Sequence, residues 1–140
     1  YIGDWSSDVC SSDLQRDMDL IREILFVIEG KYVDTWLPGS DVQIDGYDMK
    51  TIAYHCALLH DAGLIYDYKA QYAGDGLCFF GVGRLTWEGH ELLDKIKSDT
   101  VWNKTKETIK SKGIPLVLDA VKEISSAIVT SMVKAAIQGI

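Results

Sequence analysis

Two runs of alternating residues, 64–71 and 77–85, flank the stretch Tyr72-Ala73-Gly74-Asp75-Gly76. In the first run Leu64, Tyr66 and Tyr68 alternate with Ile65, Asp67 and Lys69. The second carries Cys78, Phe79, Phe80 and Val82. Strand-period runs joined by glycine-rich turn chemistry predict a β-hairpin. Helical periodicity governs the chain on both sides of it. Over 17–29, Leu20, Ile21, Ile24, Leu25 and Ile28 make one apolar stripe, with Asp17 or Asp19 at the start and Gly30 in the position of a C′ residue. Over 47–61, Ile52, Cys56 and Leu59 share a face, and Gly63 suits a left-handed cap. Thr86 is a good N-cap for a helix reaching about Lys97, with Trp87, Leu92, Leu93 and Ile96 on its apolar side. A further helix is predicted from Asp99 or Thr100 to Gly113. A last one is predicted from Pro115, a favoured first helical residue, towards Gln138. Between the first two helices, 31–46 reads as loop with a short strand at 41–44. The fold class is α+β and mostly helical.

The 140 residues suit one domain, and 47% hydrophobic against 25% charged residues is ordinary for a globular chain. No run of about 20 apolar residues is present, so no membrane span is expected. The formal charge of −7 argues against a polyanionic partner. That charge has an unusual source. Residues 4–14, DWSSDVCSSDL, resemble one reading frame of a widely used sequencing-library adapter, and 1–14 are set aside from fold reasoning. Removing Asp4, Asp8 and Asp13, with no Lys or Arg, brings −7 to −4 over the remaining 126 residues. Cys10 leaves with them, so Cys56 and Cys78 remain, and the natural start is expected upstream of Gln15. Nothing reads as a secretory signal, and the expected location is the cytoplasm.

Helix, loop, helix, hairpin, helix is the order of a winged helix-turn-helix, in which a two-stranded wing follows the recognition helix. The short helix that ordinarily precedes the recognition helix would have to fit between about Pro38 and Tyr47, where its period is missing. RDMDLIREIL at 16–25, IAYHCALLHDAGLI at 52–65 and RLTWEGHELLDKIKSDTVWNKTKE at 84–107 together resemble the uncharacterised DUF2513 family, found in bacterial and in phage or prophage genomes. The likeness spans about residues 16–112. It implies a winged-helix fold and carries no established activity. The expected division is a winged-helix domain over 15–98 and a C-terminal helical extension over 99–140.

With 47–61 as recognition helix, Lys50, Thr51, Ala53, Tyr54 and Ala57 lie towards its outer face. Lys50, Thr51 and Tyr54 are the candidate base and phosphate contacts, and Lys69 and Arg84 on the hairpin are candidate backbone contacts. Two lysines and two aspartates over 50–71 leave a locally neutral footprint, so DNA binding rests mainly on fold analogy. Lys95, Lys97, Lys104, Lys106, Lys110 and Lys112 against Asp99 and Glu107 make 95–112 basic. A solvated helix surface is preferred there over an auxiliary phosphate contact.

Cys56 and His60 stand four residues apart, but without C-x-x-C or H-x-x-x-H no metal site is expected, and Cys56 sits in the core phase. His55 and His90 are expected to be packed or hydrogen-bonded. No nucleophile–base pattern is visible, and Gly81-Val82-Gly83-Arg84 lacks the context of a phosphate loop. The chain is therefore expected to be no enzyme and to need no cofactor.

The C-terminal helix carries Val117, Val121, Ile124, Ile128, Met132 and Ala135 on one stripe, and Val129, Val133 and Ile137 extend the apolar surface. A helix apolar on more than one side must bury itself somewhere. Packing on its own domain, against the first helix, competes with a partner interface through Val121, Ile124, Ile128, Val129, Met132 and Val133. The interface, with another copy or another protein, is preferred, because an exposed face of this kind is otherwise a liability. Two lysines, Lys122 and Lys134, are too few for a membrane-surface anchor.

Overall fold

The computed structural model describes residues 15–139. The adapter-like stretch lies outside the described residues. The described chain is α+β and mostly helical, with five α-helices and one three-stranded antiparallel sheet. It divides into two compact units at Gly89/His90.

The first unit opens with α1, Met18–Lys31. Asp17 caps it: the Asp19 and Leu20 N–H groups donate to Asp17 Oδ1 at 3.0 and 3.2 Å. Leu20, Ile21, Ile24, Leu25 and Ile28 are all buried, as the stripe predicts. Gly30 does not stop the helix. It has no positive φ, and the chain leaves the helix at Tyr32, which is extended. Strand β1, Leu37–Pro38, follows, and then a 3₁₀ turn at Gly39–Asp41. The strand expected at 41–44 is absent. Pairing occurs earlier because Gly39 lies flat against the Phe80 ring, where a Cβ would overlap it.

Helix α2 is Met49–Asp61. Its cap is Asp48, whose carboxylate accepts the Thr51 N–H at 2.8 Å. Gly63 at φ 76° closes the helix: its N–H donates to His60 O, and Leu64 N–H reaches Leu59 O. This is the paired bond pattern of a Schellman cap. The hairpin is β2, Tyr68–Ala73, and β3, Gly76–Val82. The regular strands are shorter than the alternating runs. Towards their base the pairing loosens to one bridge, Ile65 with Leu85, and single bonds such as Tyr66 N–H to Arg84 O at 2.9 Å. The sheet order is β1-β3-β2.

Helix α3, Trp87–Ile96, starts as predicted at Thr86, whose hydroxyl oxygen accepts the Gly89 N–H at 3.1 Å and donates to Gly63 O. One side chain thus ties the end of α2 to the start of α3.

The second unit contains α4, Asp99–Ser111, and α5, Leu118–Gln138. Gly113 at φ 69° ends α4 with a second Schellman pattern, Ile114 N–H to Ile109 O and Gly113 N–H to Lys110 O. Pro115 is not the first residue of α5. The helix begins three residues later, after Val117, whose apolar side chain offers no capping acceptor. The two helices run antiparallel, since Thr100 and Ala135 line one groove with Thr108 and Glu123. At about 1.5 Å per residue, α5 outruns α4 by roughly 12 Å.

Candidate nucleic-acid interface

Helix α2 presents its inner face through Ile52, Ala53, His55, Cys56 and Leu59, all buried. Ala53 therefore belongs to the core and not to the outer face expected of it; it is 2% exposed. Four residues separate Lys50 from Tyr54 and three more separate Tyr54 from Ala57, so these share the outward side. Lys50 is exposed, and Thr51, Tyr54 and Ala57 are half-buried.

His55 anchors this helix. It is fully buried, and both ring nitrogens are used. Nε2 accepts the Asp17 N–H at 2.8 Å, which leaves the ring proton on Nδ1, facing Thr51 O at 2.8 Å. The imidazole thus joins the residue before α1 to the middle of α2. The Tyr47 hydroxyl donates to Asp17 Oδ2 at 2.8 Å and secures the entry to α2. That bond is the main reason the Tyr47 phenol is pushed up to about 12. Tyr54 meets the His55 ring edge-on, with centroids 5.6 Å apart. The outer-face tyrosine is thereby oriented by the buried histidine.

On the hairpin, Lys69 is exposed and pairs with Gly81. Gly81 is where the Trp36 indole lies on the strand, so closely that a Cβ would overlap it. Trp36 also stacks on Phe79, with centroids 6.1 Å apart and planes 29° apart. Arg84 is exposed, and its guanidinium carbon sits 4.1 Å from the centroid of Tyr66. The sequence reading selected the cations and missed Tyr66, on which Arg84 rests, and Trp36 and Phe79, which stack at Gly81. Phe79 pairs with Gln71, two residues along the strand from Lys69 on the same face, so alternation could have found one of the three; Trp36 sits in a loop with no period. Acidic groups share this region. Asp48 stands next to Lys50, and the hydrogen bonds from Thr51 hold its carboxyl below the usual range. The interface remains locally neutral, with Arg84 set on Tyr66.

Other candidates fall into place. Burial pushes the Cys56 thiol up to about 12, while His60 on the same helix is exposed. The two therefore do not converge. Among the described residues no group of three or more His, Cys, Asp or Glu is placed to hold a metal ion. No helix among them is long and apolar enough to cross a membrane. The basic stretch at 95–112 is dispersed: Lys104 lines the groove between α4 and α5, and the Lys106 ammonium lies 5.3 Å from the Trp102 ring centroid. Of the interface residues expected on the last helix, Val121 is fully buried and so unavailable to a partner. Ile124, Ile128 and Val129 are half-buried, and Met132 and Val133 are 54% and 50% exposed.

These features define a small, mostly helical α+β protein in which Lys50 on α2, Lys69 on the hairpin and Arg84 just past it are exposed. The chain belongs to the family described as hypothetical protein DUF2513, which matches residues 15–115. It is 42% identical over 121 residues to an uncharacterized protein of Haemophilus influenzae, across 85% of this chain and 98% of that protein. No solved structure matches it.

Proposed function

We propose that residues 15–98 act as a winged helix that binds duplex DNA without catalysis. The observation that carries this reading is the sheet order β1-β3-β2, with α2 between β1 and the hairpin. That is the arrangement in which a recognition helix precedes a two-stranded wing. On this reading the 3₁₀ turn at Gly39–Asp41 stands for the usual second helix, shortened to one turn. Lys50, Thr51 and Tyr54 face base edges and phosphates, and Lys69 and Arg84 hold the backbone. The role that fits is a cytoplasmic regulator, and the occurrence of the resembled family in phage and prophage genomes suits such a role.

The test is fluorescence anisotropy with labelled duplex DNA at low salt. Wild-type chain is expected to bind, and K50A/K69A/R84A is expected to lose that binding while keeping its far-UV spectrum. Equal binding by the two proteins would refute the assignment.

A second reading is favoured by one observation. Met132, Val133 and Ile137, the last 62% exposed, leave the end of α5 apolar and uncovered among the described residues. On this reading α5 is a contact helix. An apolar dye should bind the wild-type chain or be excluded by its associated form. M132S/V133S/I137S should abolish both dye binding and association.

A further inference from the structure

Helix α5 has a second regularity that its exposed end does not by itself explain. Ile124, Ile128, Ser131 and Ala135 follow one another at steps of four, three and four, the spacing of a two-helix seam. All four line the open groove of about 630 Å³ that runs along α4 from Thr100 to Thr108 and along α5 from Glu123 to Ala135. Two large side chains thus stand at one end of the seam and two small ones at the other. A seam with this gradient is complementary to itself in the antiparallel direction. Ile124 then faces a second copy's Ala135, and Ile128 faces its Ser131. The two-fold axis repeats both layers.

The charges obey the same direction. Glu123 and Lys134 are eleven residues apart, close to three full turns, so they lie on one flank of the helix. In an antiparallel pair related by a two-fold axis, equal flanks meet. The register set by the isoleucines brings each Glu123 within two residues, or about 3 Å of rise, of the partner's Lys134. A parallel pair would set this flank against the opposite one and leave Glu123 and Lys134 unmatched. Ser131 and Ala135, at the small end of the seam, are exposed and leave room for a second helix.

We propose that the groove is occupied by α5 of a second copy of this chain, in antiparallel register, so that two α4–α5 hairpins close into an isologous four-helix bundle. This rests on the reading of α5 as a contact helix and names its partner. It is independent of whether α2 binds DNA.

The test is light scattering on the full chain across a concentration series, with melting curves as the control for folding. The wild-type chain should have twice the mass of 15.6 kDa. S131R, an arginine at an exposed position where the partner's Ile128 must fit, should give one-chain mass with an unchanged melt. E123K and K134E should each weaken dimerisation about tenfold through two symmetric pairs, and E123K/K134E should recover it. A wild-type mass of one chain throughout overturns the proposal, as does a dimer indifferent to S131R or a double reversal no better than the single ones. Dye binding separates the two levels. A monomer that binds dye through Met132, Val133 and Ile137 overturns self-pairing but leaves the contact helix standing, whereas a monomer that binds none overturns both.

Discussion

His55→Leu isolates the hydrogen bond on which the placement of α2 depends. Leucine fills most of the volume of the imidazole but accepts nothing. The Asp17 N–H, 2.8 Å from Nε2 in the native chain, would lose its acceptor beside a fully buried side chain. Leaving a buried donor unpaired costs about 1–3 kcal/mol, and Asp17 is half-buried, which places the expected loss near 1.5 kcal/mol. Nδ1 contributes less, because Thr51 O belongs to the helix that carries His55. His55→Ala adds a cavity at a closed site, and its total loss should reach about 3 kcal/mol or more. Urea unfolding followed by far-UV circular dichroism reads both variants, and hydrogen exchange at the start of α1 reads the local effect. The expected pattern is faster exchange at Leu20 and Ile21 in both variants, with alanine the less stable. A leucine variant as stable as the native chain, with unchanged exchange there, would refute the linking role of the imidazole.

Three further outcomes follow from individual side chains. Thr105 Oγ1 is buried without a hydrogen-bond partner among the described residues, so Thr105→Val should stabilise the chain by about 1 kcal/mol in the same urea assay. Cys56, buried and pushed up to about 12, should resist thiol reagents at pH 8 until the chain unfolds, while exposed Cys78 is modified at once; peptide mapping distinguishes them. The Tyr47 phenol is raised from 10.0 to about 12, so its contribution is complete below pH 10 and lost as pH rises through 12. Absorbance titration should show Asp17→Asn returning that phenol towards its ordinary value.

The sequence made the large amphipathic elements legible, because their core residues repeat with one period. Both glycine caps with positive φ, Gly63 and Gly113, stood at the end of such a run. Gly30 stood in the same place and does not cap, because glycine permits the left-handed turn without requiring it. Strand β1 was invisible, since two residues have no period, and it pairs beside Gly39 and Gly81, where neighbouring rings leave no space for a Cβ. Ala53 was misplaced because alanine suits either side of a helix. The candidate cations could be chosen from helix phase and strand order. The Trp36–Phe79 stack could not, since it joins rings far apart in the chain across a loop with no period. The charge balance was also legible only once residues 4–14 were read apart from the rest.

The central claim is that an acidic chain with a locally neutral face binds DNA through Lys50, Lys69 and Arg84, and the salt dependence of binding tests it most directly. Each phosphate neutralised on duplex DNA contributes roughly −0.9 to the slope of log K against log salt. Lys50, Lys69 and Arg84 therefore predict a slope of about −3 per chain, and each single alanine variant should make it shallower by about one unit. A slope near zero, or one that the three variants leave unchanged, would contradict the account.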